Sequence, residues 1–408
     1  MPTIVSDVVP LWLTIPLGLF LIGMSVLDVF LTVLHVQVES PISNYLNRAL
    51  WRLLMMVGRL LPTGARGELL GWGAPLMIGG VLAFWSLLYV IGFALVYVPF
   101  IHDPAVFSLG DGQAHAVLVD ALYFSALSFF TIGYGDIVPV HAVSRLFAVV
   151  EGALGLITLS LSVTYLLSLY PLIARKMGLA ESLNQETAGR SDGVVLAERY
   201  VLGGCFEALA QRLSGINDSL MTLGQSHSLY PVLFYVRPRD VHLSFVRVLA
   251  ILQGTIATLR YGLDPKVYPT VVNDPRLLVL EEGLLSTLHT LAASSHLVTE
   301  GANDDDAAAG RADHLALIEE LRAHGLATVA PDDRRANEAH ARFRAATDHY
   351  IRAYAANSGY DVQSARARYS RWDRDTALVA HEDVKADRVH ASLAGAAPGS
   401  HEQLAPRA

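Results

Sequence analysis

Asp120-Ala-Leu-Tyr-Phe-Ser-Ala-Leu-Ser-Phe-Phe130 runs directly into Thr131-Ile132-Gly133-Tyr134-Gly135-Asp136, an apolar stretch closed by two glycines one residue apart. An Asp N-cap at 120 predicts a helix of about ten residues, roughly 15 Å long. That is half the roughly 30 Å apolar core of a bilayer, so this helix enters and stops. Backbone that leaves a helix at such depth must be enclosed by protein or line a watery path, because lipid cannot satisfy its polar groups. Gly133 and Gly135 admit backbone conformations that a Cβ resists. Residues alternating in conformation would turn successive carbonyls to one side, which an ordinary strand does not allow.

The flanks supply the membrane context. Three apolar runs are long enough to cross as helices, at 8–38, 74–101 and 143–175. The first has no basic segment before it and is too long for a signal peptide. Between the first two runs lies 41–62, where Leu46, Leu50, Leu53, Leu54, Val57 and Leu61 recur at spacings of three and four with Arg48, Arg52 and Arg59 among them. That pattern predicts an amphipathic interfacial helix, the alternative being a short helix packed on the protein's own cytoplasmic part. It is not a voltage sensor, which needs Arg at every third position of a spanning helix. Arg48, Arg52, Arg59 and Arg66 follow the first run and Arg175 and Lys176 the third, whereas 99–142 holds Asp103, Asp111, Asp120 and Asp136 with no Lys or Arg. The positive-inside rule therefore places the N-terminus and 102–142 outside and the C-terminal half in the cytoplasm, in a multi-pass protein of the plasma membrane.

Thr-Ile-Gly-Tyr-Gly-Asp, set between a short outward-entering helix and a Gly-containing spanning helix, closely resembles the pore domain of potassium channels over about residues 74–175. The resemblance implies a re-entrant pore helix and selectivity filter over 120–140. The carbonyls of Thr131, Ile132, Gly133 and Tyr134 and the Thr131 hydroxyl would replace the hydration shell of potassium, with Gly135 completing the filter. Each chain supplies one such loop, so the resemblance implies a homotetramer in the lipid bilayer, with potassium as transported ligand and no cofactor. It also implies that Tyr134 packs outward against Tyr123 and Phe124 to hold the filter's diameter. Two departures stand out: Phe130 replaces a second Thr, and Leu127 replaces a Glu that in the best-known bacterial member pairs with the filter Asp, leaving Asp136 without that partner.

In the third run the resemblance places Gly155 at a hinge, with Gly152 one turn earlier and Pro171 at a break or kink of the cytoplasmic end. Leu159, Val163 and Leu167 share a face that it turns to the pathway, where a ring of leucines would close by dewetting. Two carboxyl groups lie inside spanning runs, and a buried carboxylate there needs a partner. Glu151 is expected to support the filter helix through Ser125 or Ser128, and Asp28 to snorkel or to meet Arg48 or Arg52.

The rest is aqueous in composition. Overall 52% of residues are hydrophobic and 17% charged, with charge concentrated after residue 300. The net charge of −8 gives no reason to expect nucleic-acid binding. The single Cys205 excludes an internal disulfide and a multi-thiolate metal site. Leu277, Leu280, Leu284, Leu288 and Leu291, and Phe245, Val248, Leu252, Ile256 and Leu259, repeat helically. They predict a cytoplasmic helical domain over 190–300, then a charged helical region over 311–380 and a disordered tail over 381–408. Gly203-Gly204-Cys205 is no dinucleotide fingerprint, and Asp304–Asp306 lack calcium-loop spacing. His314, His324, His340 and His349 form no evident ligand pair, and no nucleophile–base set suggests an enzyme.

The sequence reading is thus a mainly α membrane protein that conducts potassium passively. A cation channel of weaker selectivity and a non-conducting membrane signalling protein are the alternatives. The gating stimulus and any cytoplasmic regulator are not legible.

Overall fold

Apolar length organises the first half of the chain. In a computed structural model that describes residues 11–33, 40–110, 115–294 and 304–369, the chain is mainly helical. It starts with α1 (Leu11–Val33), α2 (Pro41–Arg59), α3 (Thr63–Gly71) and α4 (Gly73–Tyr97). Strand β1 (Phe107–Leu109), helix α5 (Val117–Phe129), strand β2 (Ile137–Pro139) and helix α6 (Ala142–Glu186) follow. Among the described residues, α1, α4 and α6 are the three helices long and apolar enough to cross a membrane, and α5 is a shorter apolar helix.

Close backbone approach joins α1 to α4. A Cβ on Gly18 would fall 2.4 Å from the carbonyl oxygen of Gly92, so the helices cross where neither carries a side chain. Helix α2 opens with Pro41 at a position where its missing N–H costs nothing. It buries Trp51 and Leu54 and leaves Leu53, Met56 and Val57 exposed. The Trp51 indole donates to the carbonyl of Asn357 at 2.8 Å, tying the buried face to the C-terminal half. Helix α3, which no periodicity announced, turns the chain into α4.

Helix α5 starts ahead of the expected cap. Its N-cap is Ala116, and Asp120 sits in the first turn, where its charge still complements the helix dipole. Asp120 accepts from His102 Nε2 at 2.7 Å and from the backbone N–H of His115 at 3.0 Å. Strands β1 and β2 pair antiparallel, Phe107 opposite Pro139 and Leu109 opposite Ile137, and close the loop between α5 and α6.

Helix α6 contains 45 residues, roughly 65 to 70 Å, about twice a bilayer's apolar core. Pro171 lies inside it and does not end it, so of the expected break or kink the break does not occur. The helix continues because Leu179, Ala180 and Leu183 bury in the C-terminal body and hold its far end.

That body comprises α7 (Val194–Ala197), α8 (Phe206–Leu229), α9 (Phe245–Ile256), α10 (Pro269–Val272), α11 (Pro275–Ser294), α12 (Asp304–Ala323), α13 (Arg334–Asn357) and α14 (Val362–Arg366). Helix α9 is buried along its whole length, and its few polar side chains, Arg247 and Gln253 among them, are buried with it. Helices form in both the expected 190–300 domain and the expected charged 311–380 region, and the two share a core. Phe343, Ile351 and Tyr354 of α13 join one core with Leu249, Leu252 and Leu284, because α13 carries an apolar stripe beneath its many charges. Residues 370–380 and the expected tail, 381–408, lie outside the described residues.

Arg247 staples this body to the end of α6. Fully buried, it donates to Asn184 Oδ1 at 2.8 Å and to the carbonyls of Gly189, Ala365 and Ala367 at 2.6, 2.9 and 2.9 Å. Burial lowers its pKa to about 10, still well above physiological pH, so the guanidinium stays charged and its donors stay satisfied.

Candidate functional site

Helix α5 ends in a reversal built from its own carbonyls. Thr131 N–H donates to Ser128 O at 3.1 Å and Ile132 N–H to Leu127 O at 2.8 Å, around a Thr131 whose φ is +55°. This is the Schellman arrangement with a β-branched residue in the left-handed position that glycine normally takes. A β-branched residue there is a genuine outlier, of the kind that marks functional segments. Gly133 (φ +57°) and Gly135 (φ +84°) repeat the conformation at every second residue. A Cβ on either glycine would meet nothing within 4 Å, so it is conformation and not space that calls for glycine.

Residues 130–136 are exposed on the single chain, Ile132 by 51% and Tyr134 by 73%. Tyr134 lies near enough to Tyr123 to interact with it but leaves most of its ring uncovered on the single chain. Phe124 is held edge-on by Tyr97 and Phe107, with ring centroids 5.1 and 5.2 Å apart. The Tyr123 hydroxyl lies close to the Asp136 carboxylate, a neighbour for Asp136 that the sequence did not suggest. Asp136 also accepts at its carbonyl from Gly110 N–H at 2.8 Å.

Behind α5 the packing is dense and polar at one point. Glu151 of α6 is fully buried, accepting from the Ser125 hydroxyl of α5 and, at 2.9 Å, from Tyr97 OH of α4. Of the two serines open to it by sequence, Ser125 is the partner. Three helices thus meet on one carboxyl group. Phe129, also fully buried, stacks on Tyr89 at 5.4 Å. Gly155 lies where α6 touches the end of α5: a Cβ there would fall 2.0 Å from Phe129 O. Close approach, beyond any hinge role, explains this glycine.

Along α6, Leu159, Val163 and Leu167 are 43%, 58% and 67% exposed. Leu156, Ile157, Leu166 and Tyr170 are exposed as well, so this stretch of α6 presents a run of uncovered apolar side chains. Ser160, Ser162, Thr164 and Ser168 each donate to the carbonyl four residues earlier, which hides their hydroxyls in an apolar setting.

Asp28 meets neither Arg48 nor Arg52. It is 2% exposed and accepts from the Ser40 hydroxyl, from Ser43 Oγ at 2.5 Å and from Trp85 Nε1 at 2.7 Å. Serines seated on the following helix supply what arginine was expected to supply.

In the C-terminal body His314 and His340 stack at 4.4 Å, bonded to Asn337, the Tyr261 carbonyl and the Gly310 carbonyl. Burial lowers the His340 pKa to about 3, with the neighbouring His314 and Arg344 pushing the same way. Among the described residues no group of three or more His, Cys, Asp or Glu is placed to hold a metal.

Comparison with known proteins bears on the first half. Residues 80–170, which contain most of α4, all of α5, the loop and most of the apolar part of α6, match the ion channel family. The chain is 25% identical over 274 residues to the uncharacterized membrane protein YdjJ of Bacillus subtilis (strain 168), covering 67% of this chain and 77% of that protein. It is 34% identical over 89 residues to protein LctB of Bacillus caldotenax, 21% of this chain and 66% of that protein. Protein LctB of Geobacillus stearothermophilus is 32% identical over 90 residues, with the same coverage. No solved structure matches the chain. Residues 80–170 are thus similar to the ion channel family, in a chain whose described residues include three helices long and apolar enough to cross a membrane.

Proposed function

We propose that the chain is the subunit of a potassium-selective channel in which four copies surround one pathway. The observation that carries this reading is the left-handed backbone at Thr131, Gly133 and Gly135, alternating through an exposed loop that leaves the end of a short apolar helix. In such a backbone the carbonyls of Thr131, Ile132, Gly133 and Tyr134 turn to a common side and can take the place of water around a dehydrated cation. Helix α5 acts as a re-entrant pore helix, its C-terminal carbonyls aimed at the cavity beneath the filter. Exposure of the loop and of the Leu159, Val163 and Leu167 face supports the reading, since both would be covered or wetted only when the copies assemble.

The N-terminus and the loop face outward, and the C-terminal body lies in the cytoplasm of a plasma-membrane protein. The Glu151, Ser125 and Tyr97 junction and the Tyr123 and Asp136 contact fix the helix and the filter from behind and above. Gly155 sets how closely α6 approaches that assembly, and Pro171 lies below the leucine face.

The test is flux through the purified full chain in liposomes, with reversal potentials in potassium and sodium mixtures. A reversal potential that follows the potassium gradient supports the proposal. Equal permeation of the two ions would assign a less selective cation channel, and no flux under any stimulus would leave a membrane signalling protein.

A further inference from the structure

Where α1, α2, α4 and α6 meet the ends of α8 and α11 the structure holds a cavity of about 560 Å³, within the usual size range of small-molecule sites. One wall is apolar, with Met77, Val81 and Leu229, and the other bears hydroxyl and amide groups; none of the lining side chains is charged. Asp28, buried behind the polar wall, takes the hydrogens of Ser40, Ser43 and Trp85, all three of which line the cavity. Their hydrogens are spent on Asp28, so the two serine oxygens face the cavity as acceptors. Asn47, 9% exposed, lines the same wall with its carbonyl oxygen unpartnered, and Thr32 Oγ1 beside it is also unpartnered. A buried acceptor without a donor is costly, and here several acceptors converge on one space.

We infer that this cavity binds an uncharged amphiphile with a hydroxyl-bearing head. The hydroxyls donate to Asn47 and to the serine oxygens, and the apolar body lies along Met77, Val81 and Leu229. An anionic head finds no cation there, while an ammonium head finds the Asp28 carboxyl group already taken by three donors. Neutral glycerides from the bilayer and short water-borne glycerol ethers share this chemistry. Ser162 and Tyr165 of α6 and Thr290 and Ser294 of α11 are also lining residues, so the ligand spans the long helix and the C-terminal body. Binding is read directly and does not rest on the conduction proposal.

The test uses the full chain in lipid nanodiscs freed of sugar detergents, which carry the same kind of head. Radiolabelled dioctanoylglycerol and hexylglycerol are the probes, counted per chain after rapid gel filtration. One saturable equivalent per chain is expected for at least one of them, weakened about tenfold by Asn47→Leu through loss of the acceptor. Ala293→Trp, at an exposed lining position where bulk does not disturb the core, should abolish binding with the melting temperature unchanged. If that variant fails to fold, the Asn47→Leu titration decides alone. Retention of dioctanoylglycerol only assigns a bilayer source, and of hexylglycerol only an aqueous one. Absence of saturable binding, indifference to Asn47→Leu, or equal competition by dioctanoyl phosphatidic acid or dioctanoyl trimethylammonium-propane overturns the inference.

Discussion

Gly155 of α6 and the carbonyl of Phe129 at the end of α5 occupy adjoining space so tightly that a Cβ at 155 would lie 2.0 Å from that oxygen. Real Cβ atoms do not approach backbone so closely, so Gly155→Ala must push α5 away. The expected result is a melting temperature lower by several degrees and a weaker preference for potassium over sodium. Gly152→Ala, whose Cβ would stand 3.4 Å from Ser128 O, should remain near wild type in both. Were Gly155 only a hinge, its Ala variant would keep the wild-type melting temperature and change opening alone.

At Gly133 and Gly135 the requirement is conformational. Both have positive φ with open space around the missing Cβ, so Ala costs roughly 1 to 2 kcal/mol per residue in strain and per chain. Repeated around an assembled pathway, that strain should abolish potassium flux while cross-linking still reports intact oligomers. Selective current at wild-type level in either variant would remove the loop from the conduction path.

What was legible in the sequence is what is written locally. Bilayer-length apolar runs and the Gly-Tyr-Gly turn chemistry need only neighbouring residues to be read, and the three candidate spans follow from them. Pairs brought together by folding were not legible. Tyr123 reaches Asp136, Asp28 finds Ser40, Ser43 and Trp85, and His314 stacks on His340 across turns that no spacing rule encodes. The C-terminal body shows the same limit on a larger scale. The charges of α13 hide an apolar stripe that only the partner surface of α9 and α11 makes meaningful. Pro171 is the opposite case: a local breaker is overridden because packing at Leu179 and Leu183 holds the helix beyond it.

The Glu151 junction should behave as one unit. Glu151→Leu leaves the Tyr97 hydroxyl buried without an acceptor, at about 1 to 3 kcal/mol, and leaves Ser125 only the Val90 carbonyl at 2.9 Å. Glu151→Gln keeps an acceptor and the side-chain volume. Thermal melts of the full chain should therefore rank wild type, then Gln, then Leu. Ser125→Ala combined with Glu151→Leu should cost less than the sum of the single changes, and strict additivity would contradict a shared network.

Acid should loosen the C-terminal body through two buried imidazoles. Burial holds His227 down to about 3, with Lys176 adding to the effect, and holds His340 down to about 3 as well. The folded state thus favours neutral rings whose unfolded pKa is about 6.5, so their stabilisation is complete above pH 6.5 and declines as pH falls towards 3. By pH 5 each forfeits about 2 kcal/mol. Melting temperature measured from pH 7.5 to 5 should fall, and His340→Gln should flatten the slope by about half. An unchanged slope in that variant would mean that His340 is charged in the folded protein.

The leucine face of α6 gives the last test, and it rests on the conduction proposal. Leu167 is 67% exposed on the single chain, whereas Leu161 packs against the core around Trp85 and Phe93. If four copies bring Leu167 to one level, the constriction closes because an apolar ring that narrow does not stay wet. Leu167→Asp sets four carboxyl groups in the ring, wets it and draws cations in. Resting potassium flux should rise several-fold with the potassium-over-sodium preference unchanged, since the loop at 131–135 is untouched. Leu161→Asp should instead lower the melting temperature, because it puts a carboxyl group against packed apolar side chains. An unchanged closed-state flux in a well-assembled Leu167→Asp protein would move the gate away from this face and towards the loop itself.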